Sequence, residues 1–424
     1  MTRPHALVSG ASVAGLSTAF WLERAGWSVT VLERAPAFRD GGQNVDVRGV
    51  AREVVDRMGL LEAIRERNTT ETGTVIVDDE GGEVAELPSE GPDGPTAELE
   101  ILRGDLARVV LDALPDTVEV RYDATIASVD SGTRPGDGGV GVTLASGETL
   151  IADLLVVAEG VRSTTRDLVF GDEVELRELG ITMAFGTIAR TPDDDHRWRW
   201  CTTTEGRQVH LRPDPYGTTR AILSFLDGPD ERAGRGGRRV VELGRDEQLA
   251  LLRERYDGVG WEAPRVLEGF ATSDDVYVDD LAQTRMTTWS RGRVVLAGDA
   301  AWCVTPMGGG GSSLALTGGY VLASCLATDT SAPSAPGDPG AALAAYDAWM
   351  RPLVDDVQDF PQAVLKLAYP RTRAAVVASR VVTKAMTTWP LSRLTAKVSQ
   401  VADTDRELPA EPTPGGAERD AVSR

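Results

Sequence analysis

Two short apolar runs near the start of the chain, Ala6 to Val8 and Ser28 to Leu32, flank a segment of helical spacing that ends near Ala25. A small-residue turn, Gly10-Ala11-Ser12-Val13-Ala14-Gly15, separates the first run from the helix, and the second run closes on Glu33. The pattern predicts strand, turn, helix, strand. Ala51 to Arg67 then carries Val54, Val55, Met58, Leu61 and Ile64 on one face, and Glu100 to Leu114 carries Leu106, Val109, Val110 and Ala113. Each reads as one helix. Thr74 to Leu87 alternates around Glu80-Gly81-Gly82 and predicts a hairpin, followed by a loop from Ser89 to Pro95. Val118 to Val129 and Gly141 to Leu144 read as strands, and Asp153 to Ala158 as a strand buried on both faces.

From Glu173 to Phe270 the alternation of strands dominates, through ITMAFGTIA, RWRWCTTT, GRQVHLRP and TTRAILSFL. One helix, Asp246 to Tyr256, and a Gly/Arg/Asp loop over 228–239 interrupt it. Arg293 to Ala297 is another buried strand, running into Gly298-Asp299, and a glycine run at 308–311 opens a helix from Ser312 to Ala327. A Ser/Ala/Pro/Gly linker (328–340) leads to a helix from Ala341 to Leu367, punctuated by Pro352 and Pro361. Residues 371–400 are amphipathic and helical in pattern, and 403–424 read as a disordered polar tail. The predicted fold class is α/β: a Rossmann-like βαβ domain interrupted by a mainly β insertion, with C-terminal helices and no internal repeat.

Composition narrows the function. The chain has 424 residues and a net charge of −21, which argues against nucleic acid or an anionic membrane as partner. Cys201, Cys303 and Cys325 form no CxxC pair, and His5, His196 and His210 are too scattered for a zinc site, so no metal is expected. No stretch reaches membrane-spanning length and no signal-peptide layout precedes the first strand, so a cytoplasmic protein is expected.

The candidate chemistry sits at two glycine turns. Gly10 permits a tight turn, Gly15 lets the helix pack close to the strand, and the helix start then faces a pyrophosphate. Ser12 stands where the usual pattern has its second glycine, and Ala14 precedes the third. Glu33 lies where a carboxylate accepts from ribose hydroxyls. The second turn is Gly298-Asp299 with Pro306-Met307-Gly308-Gly309-Gly310-Gly311 ahead of a helix. An aspartate there can hold a ribityl hydroxyl, and bare N–H groups suit a negative charge developing on a ring. Two such sites, far apart in sequence, ask for a long cofactor with pyrophosphate at one end and a reducible ring at the other. FAD fits better than NAD.

Three separated motifs, GASVAGLSTAFWLERAGWSVTVLER at 10–34, DLLVVAEGVRSTTR at 153–166 and GRVVLAGDAAWCVTPMGGGGSSLAL at 292–316, occur with EILRGDLARVVLDAL at 100–114. In this order the chain resembles the class A flavoprotein monooxygenases of the para-hydroxybenzoate hydroxylase type, nearest to small bacterial members that include tetracycline-inactivating enzymes. The resemblance implies an FAD-binding domain of 1–72, 98–172 and 276–370, a substrate-binding β domain of 73–97 and 173–275, bracing helices over 371–402 and a tail from 403 to 424. It implies that Glu33 binds the adenosine ribose with Arg34 and Arg39 nearby, and that Arg103 reaches the ribityl-phosphate region. Asp299 would contact the ribityl chain, while Pro306, Gly308, Gly309, Gly310 and Gly311 line the flavin ring. Gly41, Gly42 and Val45 to Val47 would sit at its other edge. Three departures stand out: Glu159 replaces the usual aspartate of the nucleotide groove, Trp302 a histidine, and Ser312 or Ser313 an asparagine.

The chemistry the resemblance implies consumes NADPH or NADH and O2. A flavin C4a-hydroperoxide transfers one oxygen atom to an aromatic or polyketide-like small molecule by hydroxylation, epoxidation or Baeyer–Villiger insertion, in a monomer or homodimer serving secondary metabolism or antibiotic modification. No catalytic side chain is assigned. Pocket candidates come from alternation: Trp198 and Trp200 share one strand face, a stacking platform or plain core, and His210 and Arg212 share another, orienting a phenolate or carboxylate or simply facing solvent. The rivals are a non-redox FAD-containing cyclase or ligand-binding homologue, a flavin halogenase and an NAD dehydrogenase. The halogenase is disfavoured because the only lysines are Lys366, Lys384 and Lys397, all late. The dehydrogenase is disfavoured by Gly298-Asp299.

Overall fold

The computed structural model describes residues 3–88, 99–130, 139–328, 338–359, 365, 367–386 and 406–413. The expected loop at 89–95, most of the linker after Thr328, Pro361, and the C-terminal stretches 387–405 and 414–424 lie outside the described residues.

The first strand, β1 (His5–Ser9), feeds the helix α1 (Val13–Arg24), which returns to β2 (Ser28–Leu32). These join a six-stranded sheet in the order Ser290–Arg291, Val294–Leu296, Leu154–Val157, β1, β2, Glu119–Arg121. All neighbours are parallel except the two-residue strand at the first edge. The central strands are continuous apolar runs because both faces are covered: helices including α1 pack on the sheet, and a three-stranded antiparallel sheet of Ile126–Asp130, Val140–Leu144 and Thr149–Ala152 shares its core. Register aligns Ser9 with Leu32 and Val157, and Val157 with Leu296. The chain therefore leaves the sheet at one edge as Gly10, Glu33, Glu159 and Gly298 (with one residue intervening in the last two cases). That is where parallel sheets bind ligands.

A seven-stranded sheet runs in the order Tyr277–Arg285, Glu175–Ala189, Thr218–Leu226, Arg207–Pro213, Trp198–Thr203, Gly73–Val77, Glu83–Pro88. Its pairs are antiparallel except Trp198–Thr203 with Gly73–Val77. One face carries Ala184, Ile188, Cys201, Val209, Leu223 and Phe225, covered by the helices Arg245–Arg255 and Ala263–Thr272. The second helix lies so close that a Cβ on Gly269 would meet Ile188 Cγ2 at 2.4 Å. The opposite face looks toward the parallel sheet's loops.

Several elements differ from the sequence reading. The helix expected over Ala51 to Arg67 is two, Val50–Arg57 and Leu61–Arg65, because Gly59 adopts φ 75 and its N–H turns back to Asp56 O. Glu100–Leu102 is a strand paired with Asn44–Asp46, and only then does the helix Arg103–Asp112 begin. Val118 to Val129 divides between Glu119–Arg121 and Ile126–Asp130, in different sheets. Ala263–Thr272 is a helix where the alternation predicts strand, and 228–239 holds the short helix Pro229–Gly234. The helix expected from Ala341 to Leu367 is Gly340–Gln358, with Pro352 inside. The helix Arg373–Met386 packs on the outer strands of the antiparallel sheet, with Arg380 on Asp79 and Thr202 O at 3.1 and 3.2 Å.

Residues 406–413, expected in a disordered tail, lie against the parallel-sheet domain. Leu408 is buried in its core, Tyr320 donates to Pro409 O at 2.6 Å, and Arg24 pairs with Glu411 at 2.7 Å. One buried leucine in an otherwise polar stretch gave no periodicity to read. Leu408→Ala is expected to cost about 2–3 kcal/mol, measured as a lower denaturant midpoint with an unchanged slope.

Candidate FAD and substrate site

At the sheet edge Gly10 takes φ +107, donates its N–H to Leu32 O at 2.7 Å, and leaves no room for a side chain: a Cβ would lie 2.4 Å from Ala158 O. At Gly15 a Cβ would lie 1.8 Å from Gly10 O. Ser12 caps α1 in extended conformation, exposed and without a side-chain capping bond, and no acid occupies the first turn. The helix start is thus open to an external anion. Glu33 accepts from Ala11 N at 2.9 Å and Ala35 N at 2.8 Å, which pins the turn to the end of β2. Arg34 and Arg39 are exposed just beyond it.

The second turn abuts the first. Gly298 has φ 60, and a Cβ there would meet the Ala14 side chain at 2.5 Å. Gly309 and Gly310 take φ 68 and 67, and Gly311 opens the helix Gly311–Thr328. That helix crosses α1 where Gly319 meets Ser17 and Thr18, and Ser17 Oγ donates to Leu316 O at 3.0 Å. Asp299 is exposed yet ringed by protein, as on the floor of a groove. The surrounding mass raises its carboxyl pKa, opposed by the Arg103 guanidinium. A Cβ on Gly311 would come 4.0 Å from Asp299 Oδ1. Pro306 and Gly308 lie in the short helix Thr305–Gly308. Across the groove, Gly42 (φ +146) lies against the Arg103 side chain, Arg103 N donates to Gln43 O at 2.8 Å, and Val45 is half-buried in the strand Asn44–Asp46. Open N–H groups at one end, an acid and a cation at the middle, and left-handed glycines at the other fit a long anionic dinucleotide with a flat ring.

The departures from the family pattern have structural explanations. Glu159 is expected to border the nucleotide groove, but its carboxylate turns onto protein donors: Ser9 at 2.5 Å, Ser163 at 2.7 Å, Thr165 N at 3.1 Å and Thr165 Oγ1 at 2.6 Å. These bonds tie the middle motif to β1. Trp302 packs on Trp289 and Tyr346, ring centres 4.7 and 6.1 Å apart. Ser313 bridges Asp46 O and Arg48 N at 3.0 and 2.9 Å. The fully buried Arg166 donates to Val161 O and Ala300 O, joining the middle motif to the last.

The sheet face toward this groove carries Met183, Phe185, Ile222 and Leu281, and Met307 of the glycine loop packs on them with Tyr369. The four residues singled out by alternation meet on this same face. Trp198 and Trp200 stack with centres 5.5 Å apart, and His210 lies 5.7 and 4.8 Å from them. The expectation that His210 and Arg212 orient an anion, or face solvent, does not survive the geometry. His210 Nδ1 accepts from Trp198 Nε1 at 3.1 Å, and Nε2–H donates to Gln208 Oε1 at 3.1 Å. Gln208 in turn donates to Ala368 O at 2.6 Å, which fixes that tautomer. Burial, with Arg212 nearby, pushes His210 down to about 3, so the ring is neutral and both nitrogens are committed. Arg212 is paired with Glu71 and Glu100, both at 2.9 Å, beneath the Trp198 ring.

Glu71, Glu100, Asn44 and Gln208 were missed by the sequence reading. An arginine sharing a strand face with a glutamine and a histidine was the available signal, since a buried guanidinium demands carboxylates. Burial pushes Glu71 up to about 8 from the ordinary 4.5, against the attraction of Arg212. A raised folded-state pKa means its contribution to stability is full below about 4.5 and is lost as pH rises through about 8. Glu71→Gln is expected to flatten the fall in melting temperature across that window.

Comparison with known proteins places this geometry. The family model of the FAD binding domain matches residues 4–360. An uncharacterized protein of Mycobacterium tuberculosis is 36% identical over 75% of this chain and 83% of its own length. The flavin-dependent monooxygenase eupH of Phoma sp is 34% identical over 76% of this chain and 77% of its own. Among solved structures, the tetracycline destructase Tet(51) superposes with a TM-score of 0.77 at 27% identity, covering 96% of this chain and all of the other. Among the described residues no helix is long and apolar enough to cross a membrane, and no cluster of metal-ligating side chains occurs.

Proposed function

The chain belongs to the FAD-dependent class A monooxygenases, and from that premise we propose that it consumes NADPH or NADH to insert one oxygen atom of O2 into a planar aromatic or polyketide-like small molecule. The observation that carries the reading is the apolar, aromatic sheet face set against Met307 of the glycine loop. Bound FAD supplies hydride acceptance and the activation of oxygen. The chain's own residues bind, orient and exclude water.

The open start of α1 and Glu33 would hold the pyrophosphate and ribose. Arg103 and Asp299 would hold the ribityl-phosphate stretch, and Gly308 to Gly311 would let the backbone approach the ring. Phe185 and Tyr277, stacked with centres 4.8 Å apart, and the Trp198–Trp200 pair would wall the substrate. A dry wall would keep water away from the reacting atoms. No side chain of this wall is a free base, because His210 has neither nitrogen to spare. The protein's role there is positioning.

A screen of planar aromatic compounds under labelled oxygen gas tests the proposal. The expected result is nicotinamide oxidation stimulated by one compound class, with one labelled atom in the product. Bound flavin that neither nicotinamide reduces would favour the non-redox alternative instead. Asp299→Ala is expected to weaken FAD binding by about tenfold or more through the lost hydroxyl contact, read by equilibrium flavin fluorescence.

A further inference from the structure

The polar end of the proposed pocket holds more acid than base. The Arg212 guanidinium donates to both oxygens of Glu71, at 2.9 and 3.2 Å, and to Glu100 Oε1 at 2.9 Å. Its Nε and Nη2 edge is thereby taken. The Glu71 side chain is fully enclosed and Glu100 is 2% exposed. Thr69 and Asn44 also donate to Glu100 Oε1, at 2.9 and 2.7 Å. All three donors converge on one oxygen. Glu100 Oε2 and Asn44 Oδ1 are buried and accept nothing. The other charges around them, Asp46 and Arg48, pair with each other at 2.9 Å, and His210 is neutral. One guanidinium therefore answers two carboxyl groups.

This cluster lies between the aromatic stack and the cofactor groove. Arg212 rests 4.2 Å from the centre of the Trp198 ring. Asn44 and Asp46 belong to the strand that follows Gly42, beside Arg103, and Asp46 O accepts from Ser313 at the helix after the glycine run. A substrate ring against the Trp198–Trp200 pair would have its polar end here.

We propose that this end of the pocket recognises a hydrogen-bond donor on a planar aromatic substrate, an amine or amide, through Glu100 Oε2 and Asn44 Oδ1, and discriminates against carboxylates and phenolates. The inference rests on the reading of this sheet face as the substrate wall. An incoming carboxylate would bring only acceptors to two buried acceptors, beside a guanidinium whose Nε and Nη2 are already bonded. A donor would satisfy two buried acceptors that otherwise have no partner.

Binding to the oxidised FAD-loaded protein tests this without turnover, by tryptophan fluorescence and flavin absorbance, with 2-naphthamide, 2-naphthylmethylamine and 2-naphthoate as probes. The amide and amine are expected to bind at least about tenfold tighter than the carboxylate. In Glu100→Gln the gap should close to within about threefold. Asn44→Leu, which removes the second acceptor, should narrow it too, and serves if Glu100→Gln does not fold. Naphthoate binding as tightly as naphthamide, a gap unchanged in both variants, or no binding by any probe would overturn the proposal. Nicotinamide consumption by the same preparation reports separately on the monooxygenase reading, so the two can fail independently.

Discussion

Gly15→Ala is expected to yield a protein that retains almost no FAD. The added Cβ would sit 1.8 Å from Gly10 O, a backbone atom that cannot rotate away. Relief requires α1 to move off the turn, but the helix is buried from Val13 to Leu22 and clasped by the helix Gly311–Thr328 through Gly319. The turn must therefore open, and it carries the N–H groups proposed to face the pyrophosphate. Overpacking of this kind costs about 1–3 kcal/mol in stability. The loss in cofactor affinity should exceed that, at about a hundredfold or more. Flavin content after saturation and gel filtration, with far-ultraviolet circular dichroism to confirm folding, checks the expectation. A folded variant with full flavin content would mean that the turn is not the pyrophosphate site.

Arg212→Met is expected to be the most destabilising single change in the antiparallel sheet. It leaves Glu71 and Glu100 buried beside each other with no counter-charge, a situation that costs about 3–5 kcal/mol. The pH dependence distinguishes this cause from lost packing. Without the guanidinium both carboxyl groups hold their protons more tightly in the folded state, so the deficit should be small at about pH 5 and grow toward about pH 8. Denaturant unfolding at both pH values measures it. Adding Glu71→Gln should restore part of the loss, whereas a purely steric defect would be indifferent to both pH and the second substitution.

The parallel sheet and both glycine turns were legible because their requirements are local. Gly10, Gly15 and Gly298 answer to backbone crowding within a few residues or at one contact, and strands such as Leu154–Val157 show their burial as unbroken apolar runs. The proposed substrate wall was half legible. Alternation put Trp198 with Trp200 and His210 with Arg212, but the antiparallel register that lays Trp200 opposite His210 is a tertiary fact, and it decides that all four share one face. The partners of Arg212 come from Glu71 in a loop and Glu100 at a strand that was read as the start of a helix. The extended pairing of Glu100 to Leu102 with Asn44 to Asp46 overrides the helical spacing that follows. Leu408 was illegible for a different reason: a single apolar side chain docks without any period to announce it.

Glu159 shows the converse. The resemblance implies a place bordering the groove, and Ser9, Ser163 and Thr165 donate to the carboxylate. Residue identity at a motif position does not by itself say which way the side chain faces.

Anaerobic reduction of the purified protein bears most directly on the account as a whole. The protein is saturated with FAD, freed of excess, and mixed with NADPH or NADH without oxygen while the flavin absorbance is followed. One tightly held flavin per chain is expected to bleach on nicotinamide addition and to recover when oxygen is admitted. Bound flavin that neither nicotinamide bleaches, with or without planar aromatic compounds present, or a chain that holds no flavin at all, would contradict it.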